Sequence, residues 1–354
     1  MSWSETSGSP AVGRRGLVRL TTAMVWLTVF AGGFVFIEPA PYEVAFALLC
    51  CAVLIKGVRF PQLLVLPLGC LTLWIAGGIL SVTAGGSGSD AVVYMSISAY
   101  LALTTILFAA LVAEQPERKT EIFRNAYVAA AAISAVAGIA GYFHLLPGAE
   151  MFTNYGRVRG FFKDPNVFSP FLIFPALLLF QDVLSSTQRK TIMAMSGLVL
   201  FLAAILLSFS RASWGHLILS GTLMAGLMFA TSYSNRLRLK IIACVLIGLF
   251  AAGAVIAGLL AIPSVNELFA MRAELAQDYD SGATGRFGTQ LRAIPDLLER
   301  PFGFGPYGFS NHYLQDPHNV YLNAFSSYGW LGGLSYLGFV LVTWLIGFRF
   351  VLIR

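Results

Sequence analysis

Long apolar runs separated by short basic clusters limit what this chain can become more than any other feature of its sequence. A helix crossing the hydrocarbon core needs about 20 mostly apolar residues. Ten segments approach or meet that length: Leu17–Ile37, Tyr42–Ile55, Leu63–Val82, Ala91–Ala113, Ile122–Leu146, Val167–Val183, Ile192–Phe209, Ala212–Tyr233, Leu239–Ile262 and a last run from Trp330 to Val351. The second is the weakest, crowded by Pro41 and Pro61. Only 11% of the 354 residues are charged and 57% are hydrophobic, against about 25% charged in soluble domains. That composition excludes a string of soluble domains, a disordered chain and a disulfide scaffold. The runs predict an all-α polytopic transmembrane bundle of about ten spans. The first run follows Arg14, Arg15 and Arg19, but it is too long for a signal-peptide core and is expected to be retained.

Charge sets the orientation, because cytoplasmic loops collect Lys and Arg. With both ends inside, 15 of the 23 basic residues face inward and 12 of the 17 acids face outward. The net charge of +6 is spread through these short clusters, so no nucleic-acid face is implied. Cys50, Cys51, Cys70 and Cys244 lie inside apolar runs and read as packing residues. The pairs Gly32-Gly33 and Gly77-Gly78 fit close helix packing.

Two outer loops break the pattern of short connections. One is Pro147–Asn166, with Arg157, Arg159, Lys163 and Asp164; the other is Pro263–Pro317, with Arg272, Arg286, Arg292 and Arg300. Loops longer than about 15 residues are usually functional. The second carries helical patterns over Asn266–Gln277 and Phe287–Arg300, the latter with Phe287, Leu291, Ile294, Leu297 and Leu298 on one face. A helical hairpin on the outer membrane surface is expected, followed by a short amphipathic stretch, Asn319–Tyr328. The predicted divisions are a tail over 1–16, the bundle over 17–262, the outer loop over 263–317 and a final segment over 318–354.

Three polar segments are candidates for chemistry. In Ser208-Phe-Ser-Arg-Ala-Ser-Trp214 the arginine falls between two apolar helices. A snorkelling side chain would sit there too, but so short a turn keeps the guanidinium beside the bundle, where it suits phosphate through two parallel hydrogen bonds. In Thr284-Gly-Arg-Phe-Gly-Thr-Gln-Leu-Arg-Ala293, Arg286 opens a predicted helix whose first amides also favour an anion. A turn follows at Gly303-Phe-Gly-Pro-Tyr-Gly-Phe309. In Asp316-Pro-His-Asn-Val-Tyr321, His318 precedes a membrane-entering helix and can take a proton near neutral pH. Asp316 and Asn319 flank it and are candidates to orient its ring. Asp164, Asp278 and Asp280 lack metal-cage spacing, so neither metal nor cofactor is expected.

Taken in order, these segments, closing with Tyr328-Gly-Trp-Leu-Gly-Gly333, resemble the O-antigen ligase family, which also takes in O-antigen and exopolysaccharide polymerases. The resemblance runs from about Arg159 to the carboxy terminus and includes Gly160-Phe-Phe-Lys-Asp-Pro-Asn166. Gln290 stands where the family usually has Trp, and the sequence stops at Arg354, where members commonly carry further spans. The resemblance implies a GT-C-like fold in the bacterial inner membrane, with a periplasm-facing site. It makes Arg211 and Arg286 the essential arginines and His318 the essential histidine, with Arg159, Lys163, Asn166, Asn319 and Tyr321 as substrate-binding candidates. The implied donor is a glycan on undecaprenyl pyrophosphate. The acceptor is lipid A–core for a ligase, or the next repeat unit for a polymerase; membrane lipids surround both. A transporter is the alternative from another class, although charges here gather at helix ends rather than at the bilayer midplane, and a noncatalytic remnant is a third. The topology is open to test: a cysteine at Ser87 or Gly282 should react with an impermeant thiol reagent from outside, and one at Ser186 should not. Outside labelling at Ser186 would overturn the ten-span arrangement.

Overall fold

The computed structural model describes residues 10–85, 88–185, 188–273, 282 and 285–352; Ser87 and Ser186 lie outside this set, as do Asp278 and Asp280. The chain folds as helices α1 (Pro10–Ala31), α2 (Pro41–Lys56), α3 (Val65–Gly85), α4 (Ser89–Glu114) and α5 (Pro116–Tyr142), then a two-residue antiparallel pairing of β1 (Thr153–Asn154) with β2 (Arg157–Val158). Helices α6 (Pro165–Ser185), α7 (Gln188–Leu207), α8 (Arg211–Thr231), α9 (Asn235–Leu260), α10 (Pro263–Ala273), α11 (Arg286–Leu298), α12 (Gly308–Tyr313) and α13 (Val320–Leu352) complete it. Among the described residues, α3 to α9 and α13 supply eight helices long and apolar enough to cross a membrane. The apolar part of α1, Gly16–Ala31, is shorter, and the 16 residues of α2 reach only about 24 Å. The fold is an all-α polytopic membrane protein.

Local chemistry explains several boundaries. Pro41 starts α2 at a position where its missing N–H costs nothing, and Glu43 and Lys56 complement the helix dipole at opposite ends. The Ser234 hydroxyl accepts from the Leu237 amide and caps α9. Gly33 ends the first helix tightly against α5, with the space a Cβ would need lying 2.8 Å from Ala130 Cβ.

The chain divides into two compact units. The first comprises Met1–Gly57 and Pro116–Ala273. Its core joins β2, α6 and α7 through buried Val158, Phe168, Leu172, Phe201 and Ile205. The second comprises Val58–Gln115 and Glu274–Arg354, and its most extensive packing sets α3 against α13. There Gly77 lies directly on the backbone of Tyr328 and Gly332, which leaves no room for a side chain. The 263–317 segment, expected as one hairpin, divides between the units: α10 belongs with the first and α11 with the second.

Helix α13 is broken at Gly329, whose φ of 66° and ψ of −170° are not helical. The break separates an amphipathic entry, Val320–Tyr328, from the run beginning at Trp330, as the sequence pattern predicts. It also releases backbone groups, and the glycine turn takes them up. The Trp330 amide donates to the Pro301 carbonyl (2.8 Å), and the Ser326 carbonyl accepts from Phe304 (2.8 Å) and Gly305 (3.1 Å). Ser81 on α3 donates its hydroxyl to the Phe302 carbonyl (2.6 Å). Gly303 (φ 71°) is required where a Cβ would strike the Ser326 carbonyl.

Helix α11 leaves most of its apolar stripe exposed. Its inward face is Thr289, Ala293 and Leu297, while Phe287, Leu291, Ile294 and Leu298 are exposed. The Trp330 indole closes the helix end by donating to the Leu297 carbonyl (2.8 Å). Gly303→Ala should therefore destabilise the purified protein by about 2 kcal/mol or more, from left-handed strain plus the clash. Gly226→Ala, in open space on α8, should be neutral or slightly stabilising. Thermal unfolding in detergent checks both.

Candidate functional site

In the second unit, α11 clamps the segment that leads into α13. The Arg286 guanidinium donates from Nη2 to the His318 carbonyl (3.3 Å), and Gln290, one turn on, donates to the Pro317 carbonyl (2.8 Å). Arg286 opens α11 and His318 precedes α13, so the second and third polar segments meet in one place. His318 itself has a φ of 46°, a left-handed backbone uncommon outside glycine. Its own carbonyl is thus turned away from the helix and held by the arginine.

The two residues expected to orient the histidine ring are engaged elsewhere. Asp316 accepts from the Ser310 hydroxyl (2.6 Å). Asn319 caps α13, with its side-chain oxygen accepting from the amides of Tyr321 (3.0 Å) and Leu322 (3.1 Å). Among the described residues no side-chain partner holds the exposed imidazole. A cavity of about 330 Å³ lies beside it, lined by Tyr94, Tyr307, Asp316, His318, Asn319 and Asn323 among others. Tyr321 does not line it; its ring sits 6.1 Å from that of Tyr336. Behind the cavity the loop builds a small polar core. Tyr313 donates to Asp296, and burial together with that carboxylate pushes its phenol up to about 12. Tyr313 is therefore protonated, and a donor, throughout the physiological pH range.

The first unit organises the other basic residues. Arg211 opens α8 just after Phe209, which has a φ of 49°. The adjacent Ser208 carbonyl accepts from Arg157 Nε (2.7 Å), and the same guanidinium donates to Asn166 Oδ1 (2.8 Å). Arg157 thereby pins the 147–166 loop to the turn bearing Arg211. Arg159 points the other way, to the carbonyls of Met151 and Lys163 (both 3.3 Å), and Lys163 pairs with Glu38 at 2.5 Å. Arg159 and Lys163 thus brace the loop, while Asn166 lies with the turn.

Sequence reasoning passed over Arg157 in favour of Arg159. The two flank Val158, which is fully buried, and strand alternation would start both on the same outer face; only the packing shows which one reaches the turn. It also passed over Tyr94, Tyr307 and Asn323. Tyr307 carried a signal, since it sits among the glycines of a turn and has a φ of 60°. No group of three or more His, Cys, Asp or Glu side chains gathers among the described residues.

Fold and site define a class: a polytopic helical membrane protein with arginines and a histidine held at helix starts. The comparison with family models narrows it, because residues 196–337 match the family described as O-antigen ligase. This match supports the O-antigen ligase/polymerase family, whose members are glycosyltransferase-type membrane enzymes of polysaccharide biosynthesis. It takes in Arg211, Arg286 and His318. No curated protein and no solved structure matches the chain.

The clamp of Arg157 is testable without any substrate. Arg157→Lys keeps the charge but loses the forked donation, and should cost about 1–3 kcal/mol. Amide exchange over 157–166 should quicken, with α13 unchanged; unchanged exchange over 157–166 would show that the clamp does not hold the loop.

Proposed function

We propose that the protein transfers a glycan from undecaprenyl pyrophosphate to an acceptor hydroxyl on the periplasmic face of the inner membrane, as an O-antigen ligase with lipid A–core as acceptor. The observation that carries this reading is the clamp of Arg286 on His318, which joins an anion-binding cation to a proton acceptor inside the segment matched to the family.

In the proposed reaction Arg286 and Arg211 bind the donor's pyrophosphate and stabilise the charge that grows as the leaving group departs. His318 accepts the proton of the attacking hydroxyl. The new bond joins the acceptor oxygen to the anomeric carbon, and the bond from that carbon to the phosphate oxygen breaks. Undecaprenyl pyrophosphate leaves with the electron pair, and the proton on His318 passes to water. A single displacement of this kind inverts the anomeric centre. The arginines carry the leaving-group charge, so the reaction requires no metal. Arg159, Lys163, Asn166, Asn319 and Tyr321 are the proposed substrate-binding residues. A polymerase would use the same groups with a growing chain as acceptor.

The test is transfer from a lipid-linked donor by protein purified in detergent. His318→Ala should lower turnover by about 10²–10⁴-fold, and Arg286→Lys and Arg211→Ala should each lower it substantially while folding and membrane insertion survive. Activity should persist in excess chelator. His144→Ala and His312→Ala should remain near normal. Retained activity in well-folded His318→Ala would remove the base, and chelator sensitivity would remove the metal-free mechanism.

A further inference from the structure

The cavity beside His318 has a chemistry of its own. Two aromatic rings stand on one side: Tyr94, from α4, meets Tyr307 at 5.2 Å between centroids and 73° between planes. Polar groups stand on the other, with Asp316, Asn319 and Asn323 on the wall. The Asn323 amide donates one hydrogen to Tyr94 Oη (2.9 Å) and accepts from Ser327 at its oxygen (3.0 Å). A carboxamide nitrogen has two hydrogens, so one donor remains. Asp316 spends one oxygen on Ser310.

This lining selects among ligand types. An isoprenoid tail would strip water from the second Asp316 oxygen and the remaining Asn323 N–H and give neither a hydrogen bond in return. A phosphate would meet the Asp316 carboxylate, a like charge. A pyranose satisfies both halves, since its C–H face lies on aromatic rings while its hydroxyls donate to carboxylate and accept from amide. At about 330 Å³ the space is near the lower end of the ~300–1,000 Å³ of ligand pockets, which suits a short piece of glycan.

Resting on the glycosyl-transfer reading, we infer that this cavity is the acceptor-sugar subsite. Tyr94 and Tyr307 stack the ring, Asp316 and Asn323 bind its hydroxyls, and the sugar's attacking hydroxyl is presented to His318. Tyr94 lies outside the segment matched to the family. Acceptor choice is therefore set partly by α4, a helix that the family comparison does not reach.

The experiment separates binding from transfer. Saturation-transfer NMR on the full-length protein in detergent, with a panel of methyl hexosides and methyl N-acetylhexosaminides, should show contact with the ring protons of at least one member. Tyr94→Ala and Tyr307→Ala should each weaken that binding about tenfold; the conservative Tyr307→Phe should restore it, and His144→Ala, which does not line the cavity, should leave it unchanged. If Tyr94→Ala does not fold, the half-exposed Tyr307 carries the test, with Asp316→Asn as the second variant. No binding by any panel member, or undiminished binding in the tyrosine variants, overturns the subsite. In the transfer assay the same variants should raise KM for the acceptor and leave KM for the lipid-linked donor unchanged. Active transfer with an unaltered acceptor KM would sink this inference and leave glycosyl transfer standing. Tyrosine-dependent sugar binding without any transfer by the wild type would sustain the subsite and remove the transferase reading.

Discussion

The second unit depends on a backbone exchange. Gly329 interrupts α13, and the peptide groups released by that interruption bond to a turn some distance back in the chain, through Trp330 to Pro301 and through Ser326 to Phe304 and Gly305. In a low-dielectric setting an unpartnered peptide group costs several kcal/mol, so a broken membrane helix persists only where something else completes it. The Pro301–Gly305 turn does so, and Tyr307 and the 308–319 segment are positioned as a result. The cavity wall is therefore a consequence of how one helix is mended.

A related device occurs at two of the polar segments. Phe209 and His318 both adopt left-handed backbone, and beside each a carbonyl turned out of the helical pattern is taken by an arginine. Arg157 takes Ser208, and Arg286 takes His318. A charged donor to a carbonyl makes a stronger bond than a neutral one, which offsets the strain of the residue it stabilises. Basic residues in this protein thus have a structural duty.

Much of this was legible in the sequence. Apolar run lengths mark the spanning helices, and the Tyr-Gly-Trp step marks the break in α13. The glycine pair Gly77-Gly78 marks the seam with that helix. Arg286 and Arg211 read correctly as helix starts, since glycine and serine precede them. What was not legible depends on partners distant in the chain. Asp316 and Asn319 are neighbours of His318, yet Ser310 and the α13 amides claim them. The apolar stripe of α11 was legible, but not that the residues turned inward would be Thr289, Ala293 and Leu297. Tyr94 was invisible because a tyrosine in an apolar run looks like any interfacial aromatic until its neighbour across the cavity is known.

The unit that carries His318 also has a history imposed by the direction of synthesis. A chain is made from its amino end, and regions fold as they become available. Helix α3 is finished long before its partners: Ser81 waits for Phe302, 221 residues later, and Gly77 waits for Gly332. Between those events the ribosome produces Pro116–Ala273, the larger part of the first unit. The α3–α4 pair must therefore reside in the membrane as an unfinished half, with a glycine seam and a serine hydroxyl held open. The chemistry around His318 comes into being only when the last helix arrives.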